Sequence, residues 1–110
     1  MAVPHATTGD VINLCELLDE VETHHSRALV KTDTFEAMLV QVAKGATMDT
    51  DTAPAPLIAQ GISGKVRFAV NGAERDLGPN DWMYLERDAP ETITALEDST
   101  FLLTVLFVNR

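Results

Sequence analysis

Few residues in this chain have side chains suited to metal binding, nucleophilic attack or proton transfer. His24 and His25 are adjacent and His5 stands apart; a lone Cys15 lies far from any histidine in sequence. Neighbouring residues on an extended strand point to opposite sides, so His24-His25 reads first as a polar connection rather than a two-imidazole clamp. His5 reads as a solvated residue of the N-terminal lead-in. Cys15 reads as an inert buried thiol, because nothing nearby would hold it as thiolate. Asp49, Asp51, Glu86, Asp88 and Glu91 could form an acidic rim. Two carboxylates held close in an apolar pocket have their titrations split into an acid and a base, whereas exposed loop carboxylates are simply solvated. Gly61-Ile62-Ser63-Gly64-Lys65 has the look of a phosphate loop. Ala59 stands where the upstream glycine is needed, however, Val66 follows the lysine, and strands flank both sides. No Gly-x-Ser-x-Gly elbow or dinucleotide fingerprint occurs.

The elements that must position these residues follow from length and pattern. The chain has 110 residues, 45% of them apolar and 23% charged. That is ordinary globular composition, and a chain of this size buries roughly two-thirds of its unfolded surface. One domain is expected over residues 10–110, after a flexible lead-in at 1–9. The single cysteine excludes an intrachain disulfide framework and any Cys-cluster metal site. Eight Lys and Arg against 17 Asp and Glu give a net charge of -9. That balance argues against nucleic acid and anionic membrane as partners, since both demand basic surface. Residues 1–9 lack the cationic start and apolar core of a signal peptide, and no run approaches a membrane span, so a cytoplasmic location is expected.

Asp10 is placed to cap a short helix over about residues 10–20, with Val11, Leu14, Cys15 and Leu18 on one face. Asp19, Glu20 and Glu22 oppose the C-terminal end of its dipole and end it between Leu18 and Val21. Beyond Thr23 the texture becomes β-rich, with runs at Ser26–Lys31, Phe35–Ala43, Leu57–Ile62, Lys65–Val70, Trp82–Leu85, Thr92–Leu96 and Thr100–Val108. No helical segments intervene, which points to an antiparallel sandwich or barrel. Phe35–Ala43 is apolar on both sides and is expected to be covered on both. Lys65–Val70 alternates, with Val66, Phe68 and Val70 inward. Asn71-Gly72 supplies a tight hairpin turn, and Gly78-Pro79-Asn80-Asp81 a second turn. Residues 45–56 read as a polar, proline-bearing connection. Trp82 and Tyr84 share a face and are expected in the core or against the helix, with a pocket wall as the alternative. Met38, Met48 and Met83 read as core filler.

Three segments resemble a small single-domain cupin: Ile62 through Gly72, Asp76 through Asp81, and Ala95 through Leu103. The resemblance covers about residues 26–108. It implies an all-β, cupin-like double-stranded β-helix or jelly-roll barrel with the short N-terminal helix attached, and a homodimer, because small cupins pair through their sheets. Pairing would also cover exposed edge strands. The family's first metal pattern sets a Gly, His-x-His, a Glu and a Gly at fixed intervals. Those positions here are Gly45, Asp51 and Ala53, Leu57, and Gly64. The second pattern falls on Asn80, Glu86, Asp88, Glu91 and Ala95. The implied ligands, three His and one Glu, are thus replaced by Asp51, Ala53, Leu57 and Glu91.

Alanine and leucine cannot coordinate, and two carboxylates are a poor set for a transition metal. No cofactor is therefore expected; a metal, were one held, would have to draw on Asp51, Glu91 and His24 or His25. The expected activity is binding of a small organic molecule in a drier barrel. Its pocket would be lined by Asp51, Ala53, Leu57, Ala59, Phe68, Met83 and Glu91, with Trp82 or Tyr84. Two alternatives stay open. One is a small-metabolite enzyme of oxygenase, isomerase or lyase type, using Glu91 as base or an atypical metal. The other is a structural dimer whose barrel is filled by side chains.

Overall fold

The computed structural model describes residues 6–14, 26–52, 56–70, 72–86 and 90–107. Within them the chain forms β1 (Ser26–Lys31), β2 (Phe35–Val42), β3 (Thr47–Thr52), β4 (Leu57–Ser63), β5 (Val66–Val70), β6 (Ala73–Leu77), β7 (Trp82–Leu85), β8 (Pro90–Ala95) and β9 (Ser99–Leu106). A five-stranded sheet runs β1-β2-β9-β4-β7 and a four-stranded sheet runs β3-β8-β5-β6. Every pairing is antiparallel. This is a two-layer all-β jelly roll.

Alternation puts one face of each sheet inside. Val40 and Val42 of β2, Leu57 and Ala59 of β4, Leu85 of β7 and Phe101 of β9 meet Val66 and Phe68 of β5, Leu77 of β6, and Ile93 and Ala95 of β8. Phe68 and Phe101 touch edge to face across the sheets, with ring centroids 5.9 Å apart at 73°. β2 is covered on both sides, as its composition predicts. Leu39, on its outer face, joins Leu29 in a second cluster against which Leu14, Ile62 and Leu102 pack.

Two strands were not evident in the sequence. β3 (TMDTDT) lies inside the stretch read as a loop, and β6 (AERDL) follows the Asn71-Gly72 turn. Both are edge strands, so they need little apolar content. Charged side chains at a sheet edge also discourage further pairing. β5 and β6 pair from Val70 opposite Ala73 outward, as a two-residue hairpin connection requires. On its outer face Arg67 meets its register partner Asp76 in a two-pronged ion pair, Nε to Oδ1 at 2.8 Å and Nη2 to Oδ2 at 3.2 Å. That hydrogen bond holds the Asp76 carboxyl below its ordinary value.

No helix occurs among the described residues, and residues 10–14 follow no helical course. The remainder of the expected helix, with Cys15, lies outside the described residues. Asp10 turns backward, its Oδ2 accepting the Thr7 amide at 2.8 Å and the Thr7 hydroxyl at 3.0 Å. The carboxylate is thereby engaged behind the would-be helix and not on the amides ahead of it. Val11, expected on an apolar helix face, is 95% exposed, while Leu14 reaches the Leu29–Leu39 cluster. Trp82 and Tyr84, expected in the core or against the helix, are 60% and 52% exposed. β7 turns Met83 and Leu85 inward, and strict alternation sends its aromatics out. Met48, expected as core filler, is 36% exposed because β3 is an edge strand.

The Gly78–Asp81 turn closes on itself, with Gly78 N donating to Asp81 Oδ2 at 2.8 Å and Asp81 N to Gly78 O at 3.1 Å. It also docks on β4: Gly61 N donates to Asp81 O and Asn80 N to Gly61 O, each at 2.9 Å. A Cβ at Gly61 would overlap the Gly78 carbonyl. Because the obstruction is backbone, Gly61→Ala is expected to cost at least about 2 kcal/mol, seen as a Tm fall of roughly 8 °C or more. Gln60→Ala, beside it on the outer face, is expected to stay within about 0.5 kcal/mol of the parent. The lowered Asp76 carboxyl sets a pH direction: its stabilisation is complete above the ordinary value of 3.8 and is lost as pH falls through the lower folded value. Asp76→Asn should therefore narrow the stability difference between about pH 6 and about pH 2.5 in denaturant titrations.

Candidate functional site

The inner face of the five-stranded sheet is arranged in rows across the strands. One row runs from Leu85 on β7 to Leu57 on β4, Val105 on β9, Glu36 on β2 and Lys31 on β1. The next row in runs from Met83 to Ala59, Leu103, Met38 and Ala28. On the facing sheet, Phe68 stands opposite Ile93 in register, and Glu91 lies in line with Val70 on one side and Thr50 on the other. Asp51 falls at the irregularity where β3 shifts register between Thr50 and Thr52.

The expected pocket residues separate into distinct environments. Leu57, Ala59 and Phe68 are buried, and the last two have no exposed surface. They form part of the sealed core, where Phe68 meets Phe101 edge to face. Met83 is half-buried against that core, together with Met38, Val70, Leu103 and Val105. These half-buried residues make an apolar rim. Trp82 and Tyr84 share β7 with Met83 but look outward, so they wall the opposite side of the sheet. Glu91 and Asp51 are brought to the ends of β8 and β3 by register. His24, His25, Ala53 and Asp88 lie outside the described residues, as does His5. Among the described residues no group of three His, Cys, Asp or Glu stands close enough to hold a metal ion.

Sequence reading missed two features. The first is a cavity of about 130 Å³ in the seam between β1 and β2 of one sheet and β3 of the other, lined by Ser26, Val40, Val42, Ala46, Thr47 and Met48, with Gln41. It is comparable with the roughly 150 Å³ engineered cavity that admits benzene. The second is Glu36. Its parity with Met38, Val40 and Val42 was legible in the sequence, but the inward direction was not, because it depends on which sheet face is covered.

The glycine frame persists for backbone reasons. Gly45 and Gly64 both take left-handed conformations, φ 86° and 75°. A side chain at Gly64 would strike the Asp98 carbonyl and Ser99. Ser99 is tied to the same turn: its hydroxyl accepts from Lys65 N at 2.9 Å and lies 3.0 Å from Lys65 O and 2.7 Å from Glu97 O.

No family model matches the chain, and no curated protein matches it. Solved structures do. A cupin superfamily protein from Desulfitobacterium hafniense superposes with a TM-score of 0.81 at 16% identity, over 98% of this chain and 100% of the other. A conserved protein of unknown function from Streptococcus pyogenes gives 0.79 at 18% identity, over 100% of this chain and 97% of the other. A cupin-2 domain-containing protein from Shewanella frigidimarina gives 0.76 at 14% identity, over 88% and 95%. At such identities the likeness concerns the course of the backbone. Two antiparallel sheets joined in this order, matched along nearly the whole of several cupin chains, give this protein the fold of a small cupin domain.

Proposed function

We propose that this protein binds a small, largely apolar organic molecule between its sheets and does so without a transition-metal centre. The observation carrying this reading is the hydrocarbon character of the inner wall where the cupin pattern sets its ligands. Around the buried Leu57, which falls at one of those positions, the half-buried Met38, Met83, Leu103 and Val105 form the accessible edge of that wall. The seam cavity, walled mainly by Val40, Val42, Ala46 and Met48, continues that surface toward β3. A concave apolar wall with a few polar groups is the usual form of a small-molecule site. Fold alone supplies no reaction, since one architecture hosts many chemistries.

The reading also includes a homodimer, with a second copy seated on the β4–β7 side of the outer face of the five-stranded sheet, beside the Leu29–Leu39 cluster that Leu14 covers. None of the residues that alternate onto that face from Phe35 to Gln41, Ile58 to Ile62, Trp82 to Tyr84 or Thr100 to Leu106 is acidic. The other sheet's outer face carries Arg67, Glu74 and Asp76. Two chains of net charge -9 repel, so an isologous contact favours the patch free of carboxylates. Trp82 and Tyr84 supply the large, exposed aromatic surface that interfaces prefer.

A thermal-shift titration with benzyl alcohol and 1-hexanol is expected to raise Tm in proportion to occupancy. Ala46→Phe, which fills the seam cavity, is expected to reduce that shift while leaving a cooperative melt. Stoichiometric Fe, Ni, Mn or Zn in untagged protein, removable by chelator, would overturn the metal-free part of the reading. For the dimer, light scattering is expected to report twice the chain mass for the parent and the single-chain mass for Trp82→Glu. A monomeric parent at micromolar concentration would sink it.

A further inference from the structure

Strand β2 carries a carboxylate on its interior side. Val42, Val40 and Met38 alternate into the core, and Glu36 is the next residue in that series, with no break in register against β9. It is half-buried. Its neighbour on β9 is Val105, and beyond that strand lies Leu57, so Glu36 shares the row that forms the apolar rim. Lys31 is its register partner on β1, yet Lys31 is exposed at the sheet edge. Among the described residues, Arg67 and Asp76, also register partners, close an ion pair, and no such pair joins Lys31 to Glu36. On the five-stranded sheet the rim therefore carries the Glu36 carboxylate in the row of Val105 and Leu57, with no ion pair to it among the described residues.

That arrangement discriminates among ligands. An apolar molecule settling against Met38, Leu103 and Val105 displaces water from the Glu36 carboxylate. A carboxylate stripped of water without a donor is strongly unfavourable. A ligand with a protonated amine replaces the lost water with a charge-assisted hydrogen bond, an alcohol replaces it weakly, and a carboxylate adds repulsion. The chain's net charge of -9 favours approach of the cation further.

We propose that the ligand is an apolar molecule bearing a primary ammonium group, with Glu36 as its counter-ion at the rim. This rests on the reading of the inter-sheet surface as an apolar binding site, and the experiment separates the two. Calorimetric titration of hexylammonium, 1-hexanol and hexanoate is made against the parent, Glu36→Gln and Glu91→Gln. In the parent, hexylammonium is expected to bind roughly tenfold tighter than 1-hexanol, with hexanoate weakest. Glu36→Gln should reduce hexylammonium to the level of the alcohol and leave the alcohol unchanged, whereas Glu91→Gln should preserve the preference. Raising salt should weaken hexylammonium but not 1-hexanol in the parent, a measurement that requires no variant. Equal binding of amine and alcohol, or a preference lost in Glu91→Gln and kept in Glu36→Gln, would overturn the role of Glu36 while leaving the apolar site standing. Failure of all three probes to bind would overturn both.

Discussion

Contact between Phe68 and Phe101 is where the two sheets are joined, and the remaining interior is arranged around it. One ring comes from the centre of the four-stranded sheet and the other from the central strand of the five-stranded sheet. Both are fully buried, and each brings the large apolar area on which a domain of this size depends for stability. With the sheets held face to face, Val66, Leu77, Ile93 and Ala95 complete one wall of the core, and Val40, Ala59 and Leu57 complete the other. The rim residues gain their half-buried character from the same contact. Met38, Met83, Leu103 and Val105 pack against that core and are only partly covered.

The turns depend on that separation too. Ser99 bonds to the Lys65 backbone, Asp98 accepts the Lys44 amide at 2.8 Å, and Gly45 and Ala46 exchange backbone bonds with Ala95. Three turns from both sheets are thus stitched together at one end. The Gly78–Asp81 turn is anchored through Gly61. Gly61 and Gly64 are thus required by close backbone approach, independently of any side chain at the positions where the resemblance sets ligands. Backbone geometry and metal chemistry place separate demands on a sequence, and these glycines answer to the first.

Edge strands explain much of what could and could not be read beforehand. Interior strands announce themselves by apolar alternation, so β4, β5 and β9 were visible, as was the double coverage of β2. β3 and β6 have one neighbour each, and their Thr, Asp, Glu and Arg residues look like loop. Trp82 and Tyr84 misled for the converse reason: large aromatic residues suggest burial, but β7 is an edge strand whose inward positions belong to Met83 and Leu85. At the N-terminus, Asp10 has the residue type of a helix cap, and its bonds to Thr7 direct it elsewhere.

Composition and residue order by themselves determined the all-β class, most strands, both tight turns and that no histidine falls where the cupin resemblance sets a ligand. Those properties are local: they depend on alternation, on backbone conformations open to glycine and asparagine, and on which atoms a side chain carries. Tertiary structure alone decided which face of each strand is inside. That choice separates Glu36, at an apolar rim, from Trp82 and Tyr84, on the exposed outer surface, although all three lie on strands of the same sheet. A period of two marks that a strand has two faces; only the opposing sheet establishes which of them is removed from water.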